Sequence, residues 1–141
     1  MSFQPILLPL LAQVLLTFFV WVYMYVQRLS EISRKSIATQ DLRDRAHAQT
    51  LLTESANSSN NLKNLFEMPL LFYIAIMLAL VLLIQDVLLV RLAWGYVILR
   101  YVHSAVHCSY NRVVHRFIAY AVSCLFLLFM WIRLASYILM S

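Results

Sequence analysis

Four apolar runs constrain this chain more than any other feature. They cover about residues 5–27, 65–84, 87–110 and 113–139, and each holds 20 residues or more. A helix of ~20 apolar residues reaches across the ~30 Å hydrocarbon layer of a bilayer. With 141 residues, the chain is one domain's worth and has no polar shell to wrap around four such segments. Hydrophobic residues make up 63% of it and charged residues 12%, where a soluble domain carries about 25% charged. Mean hydropathy is +0.79. Lipid must therefore be the solvent for most of these side chains. In lipid the backbone is satisfied only by helices or closed barrels, and the runs lack the dyad alternation of barrel strands. The sequence predicts an all-α integral membrane four-helix bundle, a single domain over residues 1–141.

The first run has no basic residues ahead of it and no small-residue cleavage site, so it reads as a retained span rather than a signal peptide. It ends in Trp21, Tyr23, Tyr25 and Arg28, rings and a cation suited to headgroup level. Trp131 and Tyr137 are expected to form the matching belt at the far face. Residues 28–61 form the only long polar segment. Its stretch from Ser30 to Thr53 is expected to continue as a water-exposed helix, broken by the Asn/Ser cluster Asn57–Asn61. Tight turns are expected at Gln85-Asp86 and near Asn111-Arg112.

Charge distribution predicts orientation. Arg28, Arg34, Lys35, Arg43, Arg45, Lys63, Arg112 and Arg116 are eight of the eleven cations, and all fall on one side of the expected membrane. The positive-inside rule makes that side cytoplasmic, with both termini across the membrane. A bacterial inner membrane and an endoplasmic reticulum membrane both fit this pattern, and the bacterial one is the expected location. The net charge of +5 is not a nucleic-acid signature, because no Lys/Arg stripe or basic tail exists to grip phosphates. Cys108 and Cys124 lie within apolar runs and read as packing residues.

An ionised side chain within a span costs roughly 2.5–3.5 kcal/mol on insertion scales, so each needs a physical reason. Glu67 in the second run and Arg100 in the third both lie in the cytoplasmic halves of their runs, and are expected to pair. Such a pair either fixes helix register or belongs to a ligand site. Its neighbours favour a site. Asn60, Asn64 and Glu67 share one helical face, as do Tyr96, Arg100, His103, His107 and Asn111; Arg116, Tyr120 and Ser123 open the fourth run. Three polar stripes thus converge on the cytoplasmic half, as in a cleft filled by water or ligand. Guanidinium groups clamp carboxylates, a carboxylate holds an ammonium, and Asn amides take peptide groups. Glutathione carries that inventory, and a cation beside its thiol would lower the thiol pKa from about 8.5.

The segments Asn64-Leu-Phe-Glu67-Met-Pro69 and Arg100-Tyr-Val-His103-Ser-Ala-Val-His107, followed by Arg112 to Arg116, resemble the MAPEG superfamily, the membrane-associated proteins of eicosanoid and glutathione metabolism. The resemblance covers the chain in number of spans, loop lengths and topology. It implies a homotrimer that binds glutathione between neighbouring subunits near the cytoplasmic face. A lipophilic small-molecule substrate would arrive from the lipid bilayer. By the same resemblance, Asn64 and Glu67 would hold the glutathione amine and backbone, and Arg100 and His103 would belong to the binding wall. Arg116, or failing that Arg112, would activate the thiol. The family usually has Arg where this chain has Asn60, and Tyr where it has His107, as a divergent bacterial-type member would. Transferase or peroxidase activity toward lipophilic electrophiles is the implied function.

The main alternative is a non-enzymatic membrane protein whose polar network serves only packing and oligomer assembly. Haem or metal ligation is disfavoured, because the chain has only four histidines, too few for a membrane di-iron enzyme. A small four-span transporter is disfavoured because the first run has no acid and Gly95 is the only glycine. For helix association, Ala75 and Ala79 supply one small-xxx-small pair.

Overall fold

The structure, a computed structural model, describes residues 5–140; the ends of the predicted domain, 1–4 and 141, lie outside the described residues. The elements are α1 (Leu7–Lys35), one 3-10 turn (Thr39–Leu42), α2 (Arg45–Leu51), α3 (Ala56–Val81), α4 (Val87–Cys108) and α5 (Val113–Met140). No strand occurs among the described residues. Helices α1, α3 and α5 are long and apolar enough to cross a membrane. At 22 residues α4 is about 33 Å long, but Arg91, Arg100, His103 and His107 dilute its hydropathy.

The apolar surface is inverted relative to a water-soluble bundle. Phe19 on α1, Val81 on α3 and Phe117 on α5 are each about two-thirds exposed or more, consistent with lipid contact. The core lies where α3, α4 and α5 meet. Phe72, Ala75, Ile76 and Ala79 of α3 pack there with Leu89, Ala93 and Val97 of α4 and with Leu127, Met130 and Leu134 of α5. The Ala75/Ala79 pair is completely buried within its own chain, so it brings α3 close to its partners there rather than offering a contact to another copy. Gly95 does similar work on α4. A Cβ built on it would collide with the Phe126 ring of α5.

Helix ends follow local chemistry. Leu83 closes α3 in the left-handed region (φ 53°), and the Ile84 amide donates to the Ala79 carbonyl at 2.9 Å, a Schellman closure. Asp86 then caps α4 through the Leu88 amide at 2.8 Å and accepts from Arg133 Nε at 2.7 Å. At the end of α4 the left-handed residue is Asn111 itself, with φ 47°, and its own amide donates to the Val106 carbonyl at 2.9 Å.

The polar segment departs from expectation. α1 stops at Lys35, where Ser36 turns left-handed (φ 51°), and a short 3-10 turn and α2 follow. The cluster Asn57–Asn61 does not break a helix: it forms the first turns of α3. The reason is a carboxylate from α1. Glu31, buried, accepts the Glu54 and Ser55 amides at 2.9 Å each and the Ser55 hydroxyl at 2.8 Å, satisfying donors that a helix start leaves orphaned. Lys35 Nζ holds the same carboxylate at 2.6 Å. Burial alone would raise the Glu31 pKa, but these bonds, with Lys35 first, hold it down at about 2. Trp131 also departs from its expected role. It packs against the core with its indole N–H buried, while Tyr137 is more exposed, 5.0 Å from the Arg133 guanidinium.

Candidate functional site

Helix α4 carries the densest polar face in the chain, and the fold turns all of it inward. Tyr96, Arg100, His103, Ser104 and His107 are buried, at the three- and four-residue steps that keep side chains on one helical face. Arg100 is wholly buried. Its Nη2 donates to the Asn64 carbonyl of α3 at 2.8 Å, one residue before the carbonyl whose helical donor Pro69 deletes. Its guanidinium carbon lies 5.5 Å from the centre of the Tyr120 ring. Nε and Nη1 are buried without a partner.

Arg116 ties α5 to the end of α4. Its Nη1 donates to Asn111 Oδ1 at 2.9 Å and lies 3.4 Å from His107 Nε2. Its backbone carbonyl lies 3.0 Å from His103 Nδ1, which makes that nitrogen the protonated one in the neutral ring. His103 Nε2 and His107 Nδ1 are buried without partners. The two rings meet edge to face at 5.6 Å, and Tyr120 stands 5.7 Å from His103. No group of three His, Cys, Asp or Glu suited to a metal ion occurs among the described residues.

The α3 stripe does not join this cluster as expected. Asn60 and Glu67 are exposed and Asn64 is half-buried, whereas Ser58, Asn61 and Leu65 face inward. A step of one residue turns a helical face by about 100°, so the stripe lies to the side of the buried face. The expected Glu67–Arg100 ion pair is absent. Among the described residues, ion pairs join Arg34 and Lys35 to Glu54, Lys35 to Glu31 and Arg133 to Asp86. Glu67 instead lies on the outer surface of the chain. Arg112 is exposed in the turn and stands apart from the cluster, so only Arg116 of the two joins it.

Residues outside the predicted stripes complete the network. Asn61 accepts from Ser104 at 3.3 Å and donates to Cys108 Sγ at 3.4 Å. Ser58 donates to Gln27 Oε1 at 2.8 Å, and Gln27 donates to the Tyr23 hydroxyl at 2.8 Å. Asn111 donates to Asn57 Oδ1 at 2.9 Å. A signal for these existed in the Asn/Ser cluster, whose amides and hydroxyls suit partners across a helix interface. An apolar groove of about 450 Å³ runs between α1 and α3, lined by Val14, Phe18, Trp21, Phe66 and Tyr73 among others. Phe66 places it beside Glu67.

An all-helical chain with apolar outer faces and a buried polar cluster defines an integral membrane protein rather than a soluble bundle. A family model described as the MAPEG family matches residues 6–136. The chain belongs to that family. No curated protein and no solved structure shows a significant match to it.

Proposed function

We propose that this protein is a membrane-bound thiol transferase or peroxidase that uses glutathione or a related thiol against lipophilic electrophiles. One observation carries the reading: two opposite charges in the same half of the bundle are each without a charged partner. Arg100 is buried with two free N–H edges, and Glu67 stands on an outer face that one copy of the chain leaves uncovered. A carboxylate turned toward lipid is costly. A ligand ammonium and the surface of a second copy would relieve it. The outward stripe Asn60, Asn64 and Glu67 therefore fits a site completed by a neighbouring subunit, as the homotrimer of the family implies. α4 would complete the set of four spans, its polar face shielded from lipid by α3 and α5. The polar loop would face the cytoplasm of a bacterial inner membrane, on the distribution of cations.

The residues present fit such a ligand in chemical type. Glu67 would hold an ammonium, and Asn60 and Asn64 would hydrogen-bond peptide groups. The Tyr120 ring, 5.5 Å from the Arg100 guanidinium carbon, would add to the binding wall. Arg116, anchored by Asn111 and His107, would favour the thiolate over the thiol. Arg100, His103 and His107 would form the wall behind it. Glutathione supplies the sulfur nucleophile; the chain's contribution is to bind it, orient it and hold the charge on sulfur. The groove between α1 and α3 opens toward lipid and suits an apolar electrophile.

Equilibrium binding of glutathione to the purified protein, wild type against Glu67→Gln, tests this. Losing one charge-assisted contact of about 1.5–3 kcal/mol should weaken binding at least tenfold. Arg116→Ala should remove turnover of a lipophilic electrophile while binding persists. No glutathione binding by the wild type would favour the alternative, a polar network that serves assembly alone.

A further inference from the structure

A second polar feature lies outside the cluster just described. Where the polar segment folds back against α1 and α3, it encloses a pocket of about 490 Å³. Arg28, Arg43, Arg45 and Lys63 all line it, with Ser59 and Asn60 between them, and no carboxylate does. Four cations around one cavity repel one another unless an anion joins them.

The nearby acids are engaged elsewhere. Glu31 is held by Lys35 and the start of α3. Glu54 pairs with Arg34. Asp44 accepts the Ala46 and His47 amides as the cap of α2. No hydrogen bond or ion pair from another described residue reaches the charged ends of Arg28, Arg43, Arg45 or Lys63. Asp41 and Asp44 share a separate, open hollow with Arg43 but do not line this pocket, so its four cations face one another with no carboxylate among them.

Depth narrows the ligand. Arg28 directly follows the apolar part of α1, and Lys63 lies two residues before that of α3. Both stand at the rim of the hydrocarbon layer, where lipid phosphates lie. We infer that this pocket binds a phosphate-bearing anion, held by Arg28, Arg43, Arg45 and Lys63 at the membrane surface. Arginine forks match phosphate oxygens in pairs, and polar Ser59 and Asn60 add uncharged hydrogen bonds. A phospholipid headgroup and free phosphate share this chemistry. The pocket's four cations, drawn from α1, the loop and the start of α3, are none of the residues assigned to the proposed thiol site; the two sites share only Asn60.

The test uses the full chain in nanodiscs of phosphatidylcholine with one-fifth phosphatidylglycerol, released for native mass spectrometry. A parallel arm adds inorganic phosphate to nanodiscs of phosphatidylcholine alone. The wild type should retain phosphatidylglycerol over phosphatidylcholine, or retain phosphate in the second arm; which arm responds identifies the source. The double variant Arg43→Gln/Arg45→Gln, exposed on the loop and away from the helix core, should lose at least tenfold of that retention. Arg28→Gln/Lys63→Gln should do the same from the opposite wall. Absence of retention in both arms, or equal retention by the variants, overturns the inference. Glutathione binding is measured alongside. Unchanged glutathione binding in the loop variants supports two sites, whereas parallel loss would make the pocket part of the thiol site and also overturn it.

Discussion

Replacing Glu31 with Gln should loosen the whole loop between α1 and α3. Glu31 is 1% exposed and its carboxylate joins Lys35, the Glu54 and Ser55 amides and the Ser55 hydroxyl. Its pKa falls from 4.5 to about 2. At about 1.4 kcal/mol per pKa unit this sets a ceiling of roughly 3 kcal/mol. Lys35 is one-third exposed and the site borders water, so screening reduces the working figure to about 1–2 kcal/mol. That is a five- to thirty-fold change in local opening. Because the folded pKa is depressed, the contribution is complete above about pH 4.5 and is lost as pH falls toward 2. Hydrogen exchange reads it directly. Glu54 and Ser55 amides in Glu31→Gln should exchange five- to thirty-fold faster than in the wild type at pH 7. After correction for intrinsic rates, the wild type should approach the variant as pH drops from 5 to 3. Equal protection at pH 7 would refute the claim that this carboxylate organises the start of α3.

Three further outcomes follow from particular contacts. Gly95→Ala should lower the thermal midpoint in detergent by the equivalent of about 1–3 kcal/mol, because the new Cβ collides with the Phe126 ring; Phe126→Leu on top of it should restore part of the loss. Asp86→Ala should cost about 1 kcal/mol from the lost α4 cap alone and raise exchange at the Leu88 amide, which Asp86 holds at 2.8 Å. Arg100→Met should leave thermal stability unchanged or higher, since the guanidinium is buried without a carboxylate, while glutathione binding falls; a clear loss of stability would show that the cation contributes to folding.

Much of the architecture was legible from hydropathy, because burial in lipid requires long apolar helices and the breaks between them need polar residues. Gln85-Asp86 and Asn111-Arg112 mark two such breaks, and the left-handed Asn111 closes α4. The α4 stripe was legible as well: its polar residues share one face, and polar residues of a helix in lipid turn away from it. The α3 stripe misled. Asn60, Asn64 and Glu67 share a face, but the face that packs inward carries Ser58, Asn61 and Leu65. Glu31 gave no local signal, because its partners are 23 and 24 residues away.

By itself the sequence determined that the chain is helical, lies in a membrane and belongs with the MAPEG motifs of α3 and α4. Only the tertiary structure decided which side of each helix faces its neighbours. In water, an apolar face identifies the interior. In lipid, the surroundings are as apolar as the core, so periodicity shows which residues stand together but leaves the direction of that face to packing. Arg100 was therefore turned in and Glu67 out, although both residues carry charge in the same half of the bundle.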